Sequence, residues 1–160
     1  VHEVFMLSIG DKIPSFNLPL DGGDYFNSFN SEGKNVILYF YPKDDTPGCT
    51  NEAIAFSENL EAFEAENTII FGVSRDTVKK HDKFICKHDL KVRLLSDEDG
   101  KLCEAFGTWV EKKMYGKSYM GIERSTYLID LEGKILQIWR KVKVPGHVED
   151  VLAATQALNA

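Results

Sequence analysis

Cysteine is scarce in this chain of 160 residues: there are three, Cys49, Cys86 and Cys103, and no Cys-x-x-Cys pair. An odd count at wide spacing is a poor disulfide framework. The missing pair removes the usual signatures of a structural zinc site and of a dithiol exchange centre. Cys86-Lys87-His88 offers too few ligands for a tetrahedral metal, so neither metal nor cofactor is expected. Cationic excess is lacking too. Nineteen Lys and Arg against 25 Asp and Glu leave a formal net charge of -6. Nucleic acid and acidic membrane surfaces would both be repelled. No run of eighteen apolar residues is present, which excludes a hydrophobic transmembrane helix. Val1 to Gly10 lack the cationic start and apolar stretch of a signal peptide, so a cytoplasmic location is expected. Residues 1–6 are expected to lie outside the domain proper, with residues 1–5 an addition or alternative start ahead of Met6. Repeats and low-complexity segments are absent.

What is present is material for a core. Hydrophobic residues make up 43%, including ten Phe and six Tyr, and the length suits one domain over residues 1–160. Residues 8–30, cut by Pro14, Pro19 and Asp21-Gly22-Gly23, read as a leading β-hairpin. Asn35 to Tyr41 is continuously apolar and suits a strand buried on both faces. A helix is expected from about Cys49 to Glu66, with Ala53, Phe56, Leu60 and Phe63 at helical spacing. Thr46 suits its N-cap and Pro47 its first turn. Thr68 to Ser74 is a second buried strand, completing a right-handed βαβ unit. A helix over Thr77–His88, a strand over Val92–Leu95 and a short helix over Gly100–Phe106 follow. A hairpin of Ser125–Ile129 with Lys134–Trp139 and a terminal helix over His147–Leu158 close the chain. The expected fold is α/β: a central mixed sheet flanked by helices, in the thioredoxin-like arrangement. Lys112-Lys113 and the Arg140–Lys143 run are expected on the solvated surface. His2, His81, His88 and His147 sit near no motif, and surface positions are expected. Trp109 and Trp139 are expected to pack.

Chemistry concentrates where the first buried strand runs into a helix, at Tyr41-Pro42-Lys43-Asp44-Asp45-Thr46-Pro47-Gly48-Cys49-Thr50. Carboxyl ends of strands in open α/β sheets are where ligands bind. A first helical turn has unpaired N–H groups and a positive dipole end, and both favour a thiolate. Thiols in general titrate near about 8.5, and those at helix N-termini between roughly 3.5 and 7.5. A thiolate attacks a peroxide oxygen and becomes a sulfenic acid. Negative charge then develops on the leaving oxygen and needs fixed donors. The backbone N–H groups of Gly48 and Cys49 and the hydroxyl of Thr46 are expected to supply them. Pro42 and Pro47 stiffen the loop.

Pro42, Thr46 and Cys49 match the P-x-x-x-T-x-x-C motif of peroxiredoxins. The wider string F-Y-P-K-D-D-T-P-G-C-T resembles the bacterioferritin comigratory protein, or peroxiredoxin Q, branch. Leu95-Ser96-Asp97, Cys103-Glu104 with Phe106-Gly107, Tyr115-Gly116-Lys117 and Gly121 to Thr126 resemble that branch as well. The likeness runs from about Leu7 to the C-terminus. It implies a peroxidase that reduces hydrogen peroxide and organic hydroperoxides, with Cys49 peroxidatic. It implies recycling by a thioredoxin- or glutaredoxin-like donor, and a monomer. It also implies that Arg124 points at the thiolate. Glu52 occupies a place where the branch carries Glu or Gln; it either orients Arg124 or serves the helix dipole, and the two roles are compatible.

The branch's common resolving cysteine lies five residues after the peroxidatic one, where this chain has Ile54. Three returns stand open: Cys86 on the following helix as resolver, a one-cysteine cycle with an external thiol, and Cys103. For Cys103, in an apolar turn, a buried inert thiol is the stronger expectation. Two other classes compete with a peroxidase. One is a thiol–disulfide oxidoreductase, against which the missing Cys-x-x-Cys counts. The other is a catalytically silent interaction or holdase module, which would not need Thr46, Cys49 and Arg124 together.

Overall fold

In a computed structural model, residues 6–28, 30–31 and 33–159 are described, so the expectation about residues 1–5 falls outside them. Strand β1 (Asn17–Pro19) pairs antiparallel with β2 (Tyr25–Asn27) as the leading hairpin. Five strands make the central sheet: β3 (Asn35–Phe40), β4 (Thr68–Ser74), β5 (Arg93–Ser96), β8 (Ser125–Ile129) and β9 (Ile135–Trp139). Their order is β5-β4-β3-β8-β9, parallel among β3, β4 and β5 and antiparallel across β8 and β9. Helices α1 (Pro47–Glu58), α2 (Leu60–Glu64), α3 (Val78–His88), α4 (Lys101–Ala105) and α5 (His147–Ala157) surround it. A separate hairpin pairs β6 (Trp109–Met114) with β7 (Lys117–Ile122), and a 3-10 turn at Asp21–Gly23 links β1 to β2.

Strand β3 sits at the centre and is buried along its whole length. Its alternation divides the core in two. Val36, Leu38 and Phe40 join Phe71, Phe106 and Tyr127 on one face. Ile37 and Tyr39 join Cys49, Phe56, Phe63, Phe84 and Val151 on the other, under α1, α3 and α5. Each such buried aromatic contributes roughly 1.5–3 kcal/mol. Gly72 is obligatory here, because a Cβ would stand 2.7 Å from the Tyr39 ring.

The register fixes the site. Phe40, the last residue of β3, lies opposite Ser125, the first of β8. The residue before Ser125 is therefore delivered to the edge where β3 gives way to α1.

Two expectations are corrected. The helix expected over Cys49–Glu66 breaks at Asn59. The Asn59 side chain donates to the Ala55 carbonyl at 2.8 Å, and its own N–H is shared between Ala55 and Phe56, which ends the regular ladder. The β6–β7 hairpin was not expected. Its strands are largely exposed, so no apolar alternation marks them. Its turn is marked only by Tyr115 and Gly116, both at positive φ, as tight hairpin turns require.

Candidate active site

The loop from β3 to α1 is built to expose a helix start. The Tyr41 N–H continues the sheet by donating to the Val73 carbonyl at 3.0 Å. Asp45 turns the chain with φ of 60°, and Thr46 re-enters extended conformation. The first helical bond runs from Thr50 N–H to the Thr46 carbonyl at 2.8 Å. The N–H groups of Gly48 and Cys49 precede it and have no helical acceptor. Thr46 stands at the N-cap position, but its side chain does not cap α1. Its hydroxyl donates instead to the Lys43 carbonyl at 2.8 Å. The expected role as a donor to peroxide is therefore corrected: the hydroxyl proton is spent, and the oxygen presents lone pairs that accept.

Cys49 is buried, in the first turn of α1. Arg124, delivered by β8, splits its fork over two side chains. Nη2 donates to Cys49 Sγ at 3.3 Å, and Nη1 donates to Glu52 Oε1 at 2.6 Å. The planar guanidinium reaches the two with separate nitrogens in one fixed geometry, where an ammonium offers a single nitrogen. Gly48 leaves room for this: a Cβ there would lie 3.3 Å from Nη2.

Glu52 is fully buried one turn behind the sulfur, and its Oε2 has no hydrogen-bond partner among the described residues. Burial pushes its carboxyl up to about 7, against the pull of Arg124. Behind Oε2, at 4.0 Å, stands His147 Nε2, which is also 2.7 Å from Thr126 Oγ1. Burial pushes His147 down to about 4, so the ring is neutral and its approach to Glu52 is not an ion pair.

A model of the AhpC/TSA family matches residues 9–138. Peroxiredoxin Bcp of Bacillus subtilis is 50% identical over 153 residues, spanning 96% of this chain and 98% of that protein. Peroxiredoxin Bcp of Escherichia coli is 40% identical over 146 residues, 91% of this chain and 94% of that protein. A Cys-to-Ser mutant of Xylella fastidiosa PrxQ superposes with a TM-score of 0.93 at 41% identity, covering 98% and 99% of the two chains. The bacterioferritin comigratory protein of Xanthomonas campestris, described for its alkyl peroxide reduction activity, gives 0.86 at 47% identity, covering 91% and 92%.

The chain belongs to the AhpC/TSA family. It is a peroxiredoxin of the bacterioferritin comigratory branch, and so a thiol peroxidase.

Around this peroxiredoxin centre several expectations change. His81 and His147 are buried, not on the surface, and His147 contacts Glu52. His88 is half-buried and meets Asp45 at 2.8 Å, while His2 lies outside the described residues. Position 147 carries no motif and starts a helix, so only its place in the fold exposes its role. Lys112 is half-buried rather than solvated, and burial lowers its pKa, helped by Arg124 and opposed by Cys49. Arg140 is likewise half-buried, donating to the Leu7 carbonyl at 2.7 Å and to the Tyr127 hydroxyl at 3.0 Å. Cys103 is buried, and burial next to Asp97 raises its pKa, which makes it a poor nucleophile. Cys86 is exposed on α3, and all three thiols are free. Pro42, Lys43, Trp109, Lys112, Tyr119 and Ile122 line a cleft of about 400 Å³ between the active loop and the β6–β7 hairpin.

Proposed function

We propose that Cys49 is the peroxidatic sulfur, attacking hydrogen peroxide and organic hydroperoxides. The observation that carries this reading is the Arg124 fork, with one arm on Cys49 Sγ and the other on Glu52. The thiolate attacks the nearer peroxide oxygen, an S–O bond forms and the O–O bond breaks. Cys49 becomes a sulfenic acid, and the other oxygen leaves as hydroxide or alkoxide and takes a proton from water. Arg124 and the N–H groups of Gly48 and Cys49 stabilise the leaving oxygen. Thr46 Oγ1 accepts the peroxide's hydrogen and so orients it. Pro42 closes one wall of the cleft, which takes the organic part of a larger hydroperoxide against Trp109 and Ile122. Glu52 holds Arg124 in place.

The return half needs a thiol. An external dithiol donor of the thioredoxin or glutaredoxin kind, acting on a cytoplasmic monomer, condenses with the sulfenic acid, releases water and then exchanges out the mixed disulfide. Cys86 offers an internal alternative. A bridge needs Cα atoms within about 7 Å, and Cys49 is buried while Cys86 faces solvent, so α1 or α3 must unwind locally. Peroxide consumption with dithiothreitol tests the first half. Wild type is expected to turn over and Cys49→Ser to be inactive; equal rates would reject the reading. Intact mass after peroxide tests the second. Loss of two hydrogens with a Cys49–Cys86 peptide supports the internal route. A sulfenic acid trapped equally by dimedone in wild type and in Cys86→Ser rejects it.

A further inference from the structure

We propose that His81 is a positioning residue for the peroxidase reaction: a buried imidazolium on α3 that fixes the loop carrying Thr46 and Cys49. It rests on the peroxidase reading, but its first test does not depend on activity.

The protonation state follows from the partners. His81 is fully buried. Its Nε2 lies 2.9 Å from the Leu95 carbonyl oxygen, which can only accept. Nε2 therefore carries a hydrogen. Its Nδ1 lies 2.6 Å from Asp44 Oδ2. A bare Nδ1 there would set a lone pair against a carboxylate oxygen, so a proton sits between them. The other oxygen, Asp44 Oδ1, accepts from the Tyr41 hydroxyl at 2.5 Å, so the side chain is placed as an acceptor on both sides. Both ring nitrogens thus face acceptors and carry N–H, which makes the ring an imidazolium.

The surroundings agree. The titratable groups facing the pair are Tyr41 at the end of β3, Asp44 in the loop and Asp76 before α3. Burial alone would lower the His81 pKa. Asp44, the Leu95 carbonyl and Asp76 outweigh it and hold the pKa above its ordinary value. The sign follows: the clamp is intact at low pH and is lost only as pH rises through that raised value.

What the clamp holds is the turn into the helix. The Asp44 N–H donates to Asp76 Oδ2 at 2.9 Å, and Ser74 Oγ donates to the same oxygen at 2.7 Å. Asp44 is thereby tied to β3, to the segment after β4, and through His81 to α3 and β5. Its neighbour Asp45 adopts φ of 60°, a left-handed conformation that non-glycine residues keep only when their surroundings over-determine it. Thr46 and Pro47 follow directly. His81 touches neither Cys49 nor Arg124 in any recorded hydrogen bond, so it acts through backbone position. No other cation bonds to Asp44 among the described hydrogen bonds.

Nitrogen-15 NMR of histidine-labelled wild-type protein tests the protonation state, at a pH where free histidine is neutral. Both His81 nitrogens are expected at protonated N–H shifts with attached hydrogens. One bare nitrogen would overturn the proposal, whatever any variant does. The second arm is stopped-flow oxidation of Cys49 by hydrogen peroxide in His81→Gln, whose amide can donate to only one of the two sites at a time. The second-order rate is expected to fall about tenfold in protein whose circular dichroism is native. A lowered melting temperature with an unchanged rate per folded molecule would show a merely structural residue and overturn the positioning role. If His81→Gln does not fold, the NMR result alone decides.

Discussion

Arg124 divides two jobs between the two nitrogens of one rigid fork. Its guanidinium is 2.6 Å from Glu52 and 3.3 Å from the sulfur. Arg124→Lys keeps the charge but loses the fork, and the rate of Cys49 oxidation is expected to fall roughly 10²–10³-fold, as when one oxyanion donor is removed. Stopped-flow kinetics checks this; a change below about threefold would contradict the geometry. Gly48→Ala pushes at Nη2 from the other side and is expected to slow the same step by a smaller factor, with little loss of stability. Glu52 adds a pH dependence. Its folded pKa of about 7 lies above the ordinary carboxylate value, so the folded state holds its proton more tightly. Stability from this group is full below about pH 4.5 and is lost as pH rises to about 7. Thermal melts of wild type and Glu52→Gln across that window should show a falling slope in wild type that the variant lacks. Equal slopes would contradict it. Much of this scale was legible in the sequence, because Thr46, Cys49 and Arg124 carry motifs. The direction of the Thr46 hydroxyl was not, since it depends on where the Lys43 carbonyl points.

Elements place these residues by register. β8 starts opposite the end of β3, and α5 starts with His147 behind Glu52. His147→Ala leaves Thr126 without its recorded partner in a fully buried position. A cost of about 1–3 kcal/mol in urea unfolding is expected. A cost below about 0.5 kcal/mol would mean that the contact is not structural. Continuous apolar runs and helical spacing revealed β3, β4, α1 and α3. The α1 break at Asn59 escaped because a local side-chain bond, not hydrophobic periodicity, causes it. The β6–β7 hairpin escaped because it is largely exposed and carries no burial pattern to read. The buried histidines escaped for a related reason: imidazole is common on surfaces, and only tertiary partners such as Asp44 and Leu95 reveal a satisfied interior one.

On the scale of the whole molecule, a central sheet with two cores holds the Cys49 thiol in the base of one of them. Cys49 belongs to the cluster that includes Tyr39, Phe56 and Val151. Its sulfur is shielded from solvent, and the Arg124 fork reaches it from across the sheet's end. Cys103 lies in the opposite core with its pKa raised by burial, and Cys86 lies outside both. Three cysteines thus occupy three environments, of which one favours attack on a peroxide. Dimedone trapping after a single equivalent of hydrogen peroxide, read by peptide mass spectrometry on wild type and Cys86→Ser, measures this directly. The adduct is expected on Cys49 in both proteins, or in Cys86→Ser alone if Cys86 captures the sulfenic acid first. An adduct on Cys86 or Cys103 with Cys49 unmodified would contradict it.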